Sequence, residues 1–304
     1  MNLFYQGADI TDDVVIDSLT VGDHAWKKSD SLEAVFENAG KWYSWGPKKG
    51  DLISVTDNGY DSGAMYVSDI FPGDGKFRIL ASSIPFEARN RGFESFYKQT
   101  SGAILNRCAA ESGMSAEAYG LSLGLPVTYI TRENEGCAAF LARYLEMENA
   151  VLKCENGAYK AIGVLYAQER PAAKQIELYS SQRGFQYIRE GARYKSVTVE
   201  TPYASATAWD SDDDATETLI LHSLPAMTNA EAGRWARGKL FALNLPSERV
   251  VLSSEFQPSF TAMERFDISG DTDAAGEWIV AGVRHDIMNQ TSTVTLYRCI
   301  DTIV

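Results

Sequence analysis

Most of the residue patterns that carry chemistry are missing from this sequence. It holds only three histidines, His24, His222 and His285. None stands in the H-E-x-x-H spacing that puts two imidazoles on one helix face around a metal, and each falls in or beside a strand-like run, where a satisfied structural role is favoured over a ligand role. Cys108, Cys137, Cys154 and Cys299 are widely spaced and form no C-x-x-C pair. That argues against a zinc site or a disulfide framework and for buried free thiols in a reducing cytoplasm. Gly102, Gly113, Gly120 and Gly124 make no phosphate loop, and no G-x-S-x-G elbow occurs. Basic residues are outnumbered 28 to 41, a net charge of −13, which disfavours a nucleic-acid partner because phosphate binding needs clustered Lys and Arg. No run approaches the ~18 apolar residues that cross a bilayer, and Met1 to Asp9 lacks the basic start and apolar core of a signal peptide. The expectation is a soluble protein that is not an enzyme, with no catalytic, cofactor-binding or metal-binding residues.

Three features invite a functional reading. The run Asp210-Ser211-Asp212-Asp213-Asp214 suggests a calcium loop, but an EF-hand begun at Asp210 would place Ala215 where the turn glycine belongs and Leu221 where the closing glutamate belongs. A solvated loop is expected there instead. The abundance of carboxylates leaves a cell-wall hydrolase as an alternative, since glycoside hydrolysis needs two of them flanking a cleft. Trp42, Trp45, Trp209 and Trp278 could stack on sugars in a carbohydrate-binding tail protein, although core and interface aromatics are the favoured reading.

What the chain does contain is β signal. Lys41 to Thr56 reads as two aromatic or β-branched runs about a turn at residues 46–50, where Pro47 fixes φ, Gly46 and Gly50 allow tight bends, and Lys48 and Lys49 sit at the tip. Short β-like runs fill the first 88 residues, with turns at Asp57-Asn58-Gly59 and at Pro72 to Gly75. The composition then changes. Thr100 or Ser101 caps a helix carrying Ile104, Leu105, Cys108 and Ala109 to a stop at Gly113, and a second helix after Thr131 carries Phe140, Leu141, Tyr144 and Leu145. Pro126 to Ile130 reads as a strand between them, and a hairpin turning at Asn156-Gly157 follows. Strands resume from about Pro171, interrupted by one helix opened by the capping box Thr228-x-x-Glu231. This is an α+β, mainly β organisation: residues 1–88 as a first antiparallel β-barrel, 89–170 as a small α/β insert, and 171–304 as a second barrel with one flanking helix.

The order of these segments resembles the central baseplate hub proteins of contractile phage tails and phage-tail-like bacteriocins, the late control protein D type family. The residues that carry the resemblance are the aromatic segment and the Lys49-Gly50-Asp51 turn leading into Leu52 to Val55, and the basic, aromatic linker Arg89 to Tyr97. The closing hairpin adds to them, with Gly276 to Asp286, a turn at Asn289-Gln290, and Thr293 to Arg298. The resemblance implies two tail-tube-like barrels per chain and a homotrimer that adapts a six-fold tail tube to a three-fold central spike. It implies as partners the spike protein, the tail tube or tube-initiator protein and the baseplate wedge proteins, in a virion or tailocin particle assembled in the bacterial cytoplasm. With no needle, lysozyme-like or peptidase module in the sequence, puncturing is expected of separate polypeptides. Strand edges such as Thr291 to Arg298, and exposed aromatics such as Trp42 or Tyr43, are expected to supply the subunit interface.

Overall fold

In the first region the strands follow the alternation of the sequence. Leu3, Leu19, Val21, Leu32, Ala34, Ile53, Val55 and Ile79 all point inward onto one apolar core. A computed structural model of the chain describes residues 1–26, 28–37, 39–73, 75–181, 183–189 and 193–304. Strands take 49% of the chain and helices 20%, so the fold is mainly β, as expected. The turn expected at Pro72 to Gly75 includes Asp74, which lies outside the described residues.

One 14-stranded sheet dominates the architecture. Its path runs Phe185–Arg189, Glu248–Glu255, Thr291–Arg298, Gly276–Asp286, Ile16–His24, Ser31–Phe36, Lys76–Ser82, Met65–Gly73, Leu52–Asp57, Asn2–Tyr5, Ala8–Asp9. Residues from the two ends of the chain therefore meet in its middle, where Gly282 faces His24, Arg284 faces Gly22 and Asp286 faces Thr20 in antiparallel register. A second core built on Leu178, Val250, Phe266, Trp278, Val280, Val294 and Leu296 fills the C-terminal end of this sheet.

A third core, built largely from the middle of the sequence, gathers α2 (Ser101–Glu111), α3 (Cys137–Met147), α4 (Val164–Glu169) and α5 (Asn229–Asn244), whereas α1 (Ala39–Trp45) packs on the first core. Thr100 caps α2 by accepting a hydrogen bond from the Ala103 N–H, and Thr228 and Glu231 complete the expected capping box on α5. Strands Ala150–Glu155 and Ala158–Gly163 form the expected hairpin, turning at Asn156 (φ 49°) and Gly157 (φ 71°), the left-handed pair that a two-residue hairpin turn requires. The middle core also takes Val197, Val199, Trp235, Ala236 and Leu240, because one face of the small sheet formed by Arg193–Glu200, Ser205–Trp209 and Ala215–Leu221 packs on α5.

Two segments differ from the local expectation. Lys41 to Trp45 is helical, because i, i+3 spacing puts Trp42 and Trp45 on one face, where Trp42 stacks on Phe77 at 5.6 Å and meets Phe36 at 4.6 Å. Tertiary burial of the indole outweighs the β preference of the run. The linker read at Arg89 to Tyr97 contains most of a nine-residue strand, Gly92–Thr100, paired antiparallel with Pro126–Glu135. That longer partner strand delays the start of α3 to Cys137.

Candidate functional site

The three histidines do not converge. His285 is fully buried, its Nδ1 2.9 Å from Ser292 Oγ and its ring 4.6 Å from that of Tyr60; burial pushes its pKa down, so it is neutral at physiological pH. His222 is exposed, with Nδ1 3.3 Å from the Glu200 carbonyl oxygen. His24 is half-buried, its pKa lowered by burial and by the nearby Lys28. Among the described residues no group of His, Cys, Asp and Glu side chains could hold a metal ion. No helix among them is long and apolar enough to cross a membrane.

The tryptophans are scattered as well. Trp42 and Trp278 are fully buried and Trp45 is half-buried, so of the four candidate stacking platforms only Trp209 stands open. Trp42 therefore cannot serve as the exposed interface aromatic expected from sequence, while its neighbour Tyr43 is 62% exposed. The acidic run departs from expectation at its first residue. Asp210 is fully buried, accepting hydrogen bonds from Arg193 Nη2 at 2.6 Å and Asn244 Nδ2 at 2.9 Å. Burial alone would raise its pKa, but hydrogen bonds from Thr302 and the Asp212 N–H, with the Arg193 charge, hold it below the ordinary carboxylate value. The run anchors α5 to the residues near the C-terminus through this carboxylate, a partnership spread over residues 193 to 302 that local composition does not signal.

Buried charge ties the segments together elsewhere. Lys153, 5% exposed, reaches from the middle hairpin to Asp23 Oδ1 at 2.5 Å and Asp30 Oδ2 at 3.2 Å. Asp30 also accepts the His24 N–H at 2.8 Å. Burial alone would lower the Lys153 pKa, but the two carboxylates raise it above its ordinary value, while burial pushes Asp30 up to about 7 against the pull of Lys153. Between α3 and α5, Glu148 accepts from Arg234 Nε at 2.9 Å and Trp235 Nε1 at 2.9 Å, and Lys239 Nζ lies 2.6 Å from Glu146. The Lys49-Gly50-Asp51 turn is a similar knot: Asp51 accepts from Tyr5 Oη at 2.5 Å, Gln6 Nε2 at 2.7 Å and the Lys48 N–H at 2.6 Å. Such an arrangement holds segments rigidly and offers no nucleophile beside a base.

Thr291–Arg298, expected as a free edge, is internal, paired with Glu248–Glu255 on one side and Gly276–Asp286 on the other. Among the described residues the ends of the sheet's main path are instead Phe185–Arg189 and Ala8–Asp9, with Lys174–Glu177 and Tyr60–Asp61 as further edges on side branches. The ribbon of Gly92–Thr100 and Pro126–Glu135 is a separate two-stranded sheet. Its inner face sets Phe96 on Phe140 at 5.3 Å, and its outer face carries Phe93, 78% exposed, and Tyr97, 59% exposed and paired across the ribbon with Tyr129. An open aromatic face of this kind is a candidate contact surface.

Comparison with solved structures gives this architecture its class. The chain superposes on a tail protein from Neisseria meningitidis with a TM-score of 0.76 at 10% identity, covering 98% of this chain and 95% of that one. It superposes on the 43 kDa tail protein of prophage MuSo2 from Shewanella oneidensis with a TM-score of 0.75 at 14% identity, covering 98% of both. A component of the Escherichia coli type VI secretion system, described as structurally similar to two T4 bacteriophage tail proteins, matches at TM-score 0.63 and 10% identity over 99% of this chain and 78% of that one. No family model matches the sequence, and no curated protein matches it. The fold is that of phage tail proteins.

Proposed function

We propose that the chain is the central hub of a contractile-tail baseplate, a non-enzymatic part in which three copies form a ring joining a six-fold tail tube to a three-fold spike. The observation that carries this reading is the sheet itself: strands from residues 1–88 and from 171–304 join edge to edge through Ile16–His24 and Gly276–Asp286. Each chain then contributes two tube-like barrels with residues 89–170 as an insert, and three chains contribute six around one axis. The spike, the tube or tube-initiator protein and the wedge proteins are its partners, within a virion or tailocin baseplate. The test is the subunit count at the hub position in cryo-electron microscopy of the parent particle, with co-expression and pull-down of the neighbouring spike. Three copies bound to a spike are expected, and any other number rejects the adapter role.

The net charge of −13 makes copies repel, so the ring needs apolar contact to form. The outer face of the ribbon supplies it. Replacing Phe93 and Tyr97 together by Ser is expected to leave monomer stability within about 0.5 kcal/mol, since both rings are solvent-exposed. The same change is expected to cut incorporation into assembled particles at least tenfold, read by quantitative immunoblot of purified particles. Normal incorporation would show that the ribbon faces solvent in the assembly.

A further inference from the structure

We propose that a cavity of about 470 Å³ beside the central strands of the long sheet is a docking pocket for an acidic segment of another protein, one that carries a carboxylate next to an apolar side chain. Its volume is in the range that takes a small ligand or a few side chains. It lies where the loop after Ile16–His24 meets Gly276–Asp286, Thr291–Arg298 and the residues that follow α5. Strand alternation shapes the floor. Thr293, Thr295 and Tyr297 are half-buried and line the cavity, while Ser292, Val294 and Leu296 between them are fully buried on the other face. Two glycines let His24 lie close across this floor: a Cβ at Gly22 would stand 2.5 Å from its Nε2, and one at Gly282 would stand 2.9 Å from its Nδ1. On the wall, Trp26 and Tyr297 meet edge to face at 5.4 Å. Trp26 is held at φ 62°, a left-handed conformation that is uncommon for a bulky residue and recurs at binding sites.

The charge of this pocket opposes that of the chain. In a protein of net charge −13, its lining carries Lys28 and Arg284, both exposed, together with His24. Glu146, the one carboxylate among the described lining residues, is engaged by Lys239 Nζ at 2.6 Å. Other cations of the chain, such as Lys153, Arg193, Arg234 and Arg265, are spent on carboxylates of the chain itself. Among the described residues neither Lys28 nor Arg284 has an ion pair. The register explains this for Arg284, which stands opposite Thr293 on one side and Gly22 on the other, so neither neighbouring strand offers it a carboxylate there. Burial and the Lys28 charge keep His24 neutral, which leaves its ring to exchange a hydrogen bond without adding charge. The planar fork of Arg284 suits a carboxylate, and the ammonium of Lys28 adds a second positive charge. A bare anion would use these cations and leave the aromatic wall empty, while a neutral apolar group would fill the wall and leave the cations unpaired. A carboxylate beside an apolar side chain satisfies both. The pocket is complete within one chain, so the inference does not depend on a ring of three.

The experiment titrates the isotope-labelled full-length chain with the peptide acetyl-Phe-Asp-Leu-amide and follows backbone and indole N–H resonances by NMR. Shifts are expected at Trp26, at residues 281–284 and at residues 293–297. The peptide acetyl-Phe-Asn-Leu-amide, nearly the same in shape but uncharged, should bind at least about fivefold more weakly, because charge-assisted hydrogen bonds are the stronger ones. Arg284→Gln and Lys28→Gln should each weaken the Asp peptide by a similar factor and leave the Asn peptide unchanged. Both substitutions replace exposed side chains, so the melting temperature should match that of the parent. Inorganic phosphate should bind more weakly than the Asp peptide, since it leaves the wall of Trp26 and Tyr297 empty. Equal binding of the two peptides, shifts confined to other surfaces, or no binding at millimolar peptide would overturn the proposal. Phosphate binding as tightly as the Asp peptide would also overturn it, by making the pocket a simple anion site. The titrations of the unaltered chain decide the matter even where a variant fails to fold.

Discussion

Replacing Lys153 by Met is expected to destabilise the protein by about 3–5 kcal/mol at pH 8, the cost of stranding charge in the interior. Methionine matches the length of the lysine stem and leaves little cavity, so the loss measures charge. Without the ammonium, Asp23 and Asp30, 8% and 5% exposed, face each other with no counter-charge. The pH dependence follows from the direction of the Asp30 shift. A carboxyl whose folded pKa, about 7, lies above its unfolded value binds more protons folded than unfolded within that window, so its contribution to stability falls as pH rises from about 4 to 7. Removing Lys153 takes away the interaction that pulls this pKa down, and the slope steepens and extends to higher pH. Lys153 itself, with its pKa raised, contributes a stability fully present below the ordinary lysine value, so it is constant across this range in the parent protein. The loss should therefore be much smaller at pH 5 than at pH 8. Urea unfolding of parent and variant at both pH values is the measurement, and an equal loss at both would mean that packing, not charge, is what Lys153 supplies. Adding Asp30→Asn to the variant should return part of the loss at pH 8, since one of the two stranded charges is gone.

The reach of sequence reasoning in this protein tracks the range of the interaction involved. Thr100, the Thr228 and Glu231 box, and Asn156-Gly157 act within three or four residues, and the structure uses them as local chemistry dictates. The closing hairpin is legible for the same reason, since Gly276–Asp286 and Thr291–Arg298 are joined by a short turn. The pairing of Gly276–Asp286 with Ile16–His24 spans nearly the whole chain and leaves no local mark, so nothing in either strand announces that the first and last regions share one sheet. That same kind of pairing explains why Thr291–Arg298 reads as an edge when taken alone: a strand is internal or external by virtue of what the rest of the chain places beside it. Lys153 and its carboxylates lie more than a hundred residues apart, and the Asp210 partners Arg193 and Asn244 stand on separate elements 17 and 34 residues away, so each reads as a surface charge in isolation. Trp42 goes the other way, because a run of aromatics fits a strand or a helix and only the waiting surface of Phe36 and Phe77 decides. The candidate assembly surface is partly readable: the Arg89 to Tyr97 segment carries the resemblance, but which of its aromatics face out follows from the register of the ribbon.

Replacing Gly238 by Ala is expected to cost about 2–3 kcal/mol, whereas Gly233→Ala in the same helix should be neutral to stabilising by up to about 1 kcal/mol. Both residues lie inside α5, where alanine is the better helix former, so helix propensity alone predicts a gain at both. Their surroundings differ. A Cβ at Gly238 would stand 2.2 Å from the Met147 carbonyl oxygen and 2.5 Å from that of Glu146, backbone atoms at the end of α3 that no side-chain rotation can move. A Cβ at Gly233 would meet only the Ala206 Cβ, at 3.7 Å, an ordinary contact. The two helices must therefore separate to admit a methyl group at the first position, and the separation pulls on the polar ties around the crossing. Arg234 and Trp235 both donate to Glu148, 1% exposed at its side chain, and Lys239 reaches Glu146. Weakening those bonds leaves a buried carboxylate poorly partnered, which adds to the steric cost. Chemical unfolding of the two variants beside the parent gives the answer directly. A loss at Gly238 with none at Gly233 places the cost in the close crossing of α3 and α5, whereas equal behaviour of the two would mean that the crossing relaxes freely and that α5 is held by its small sheet alone.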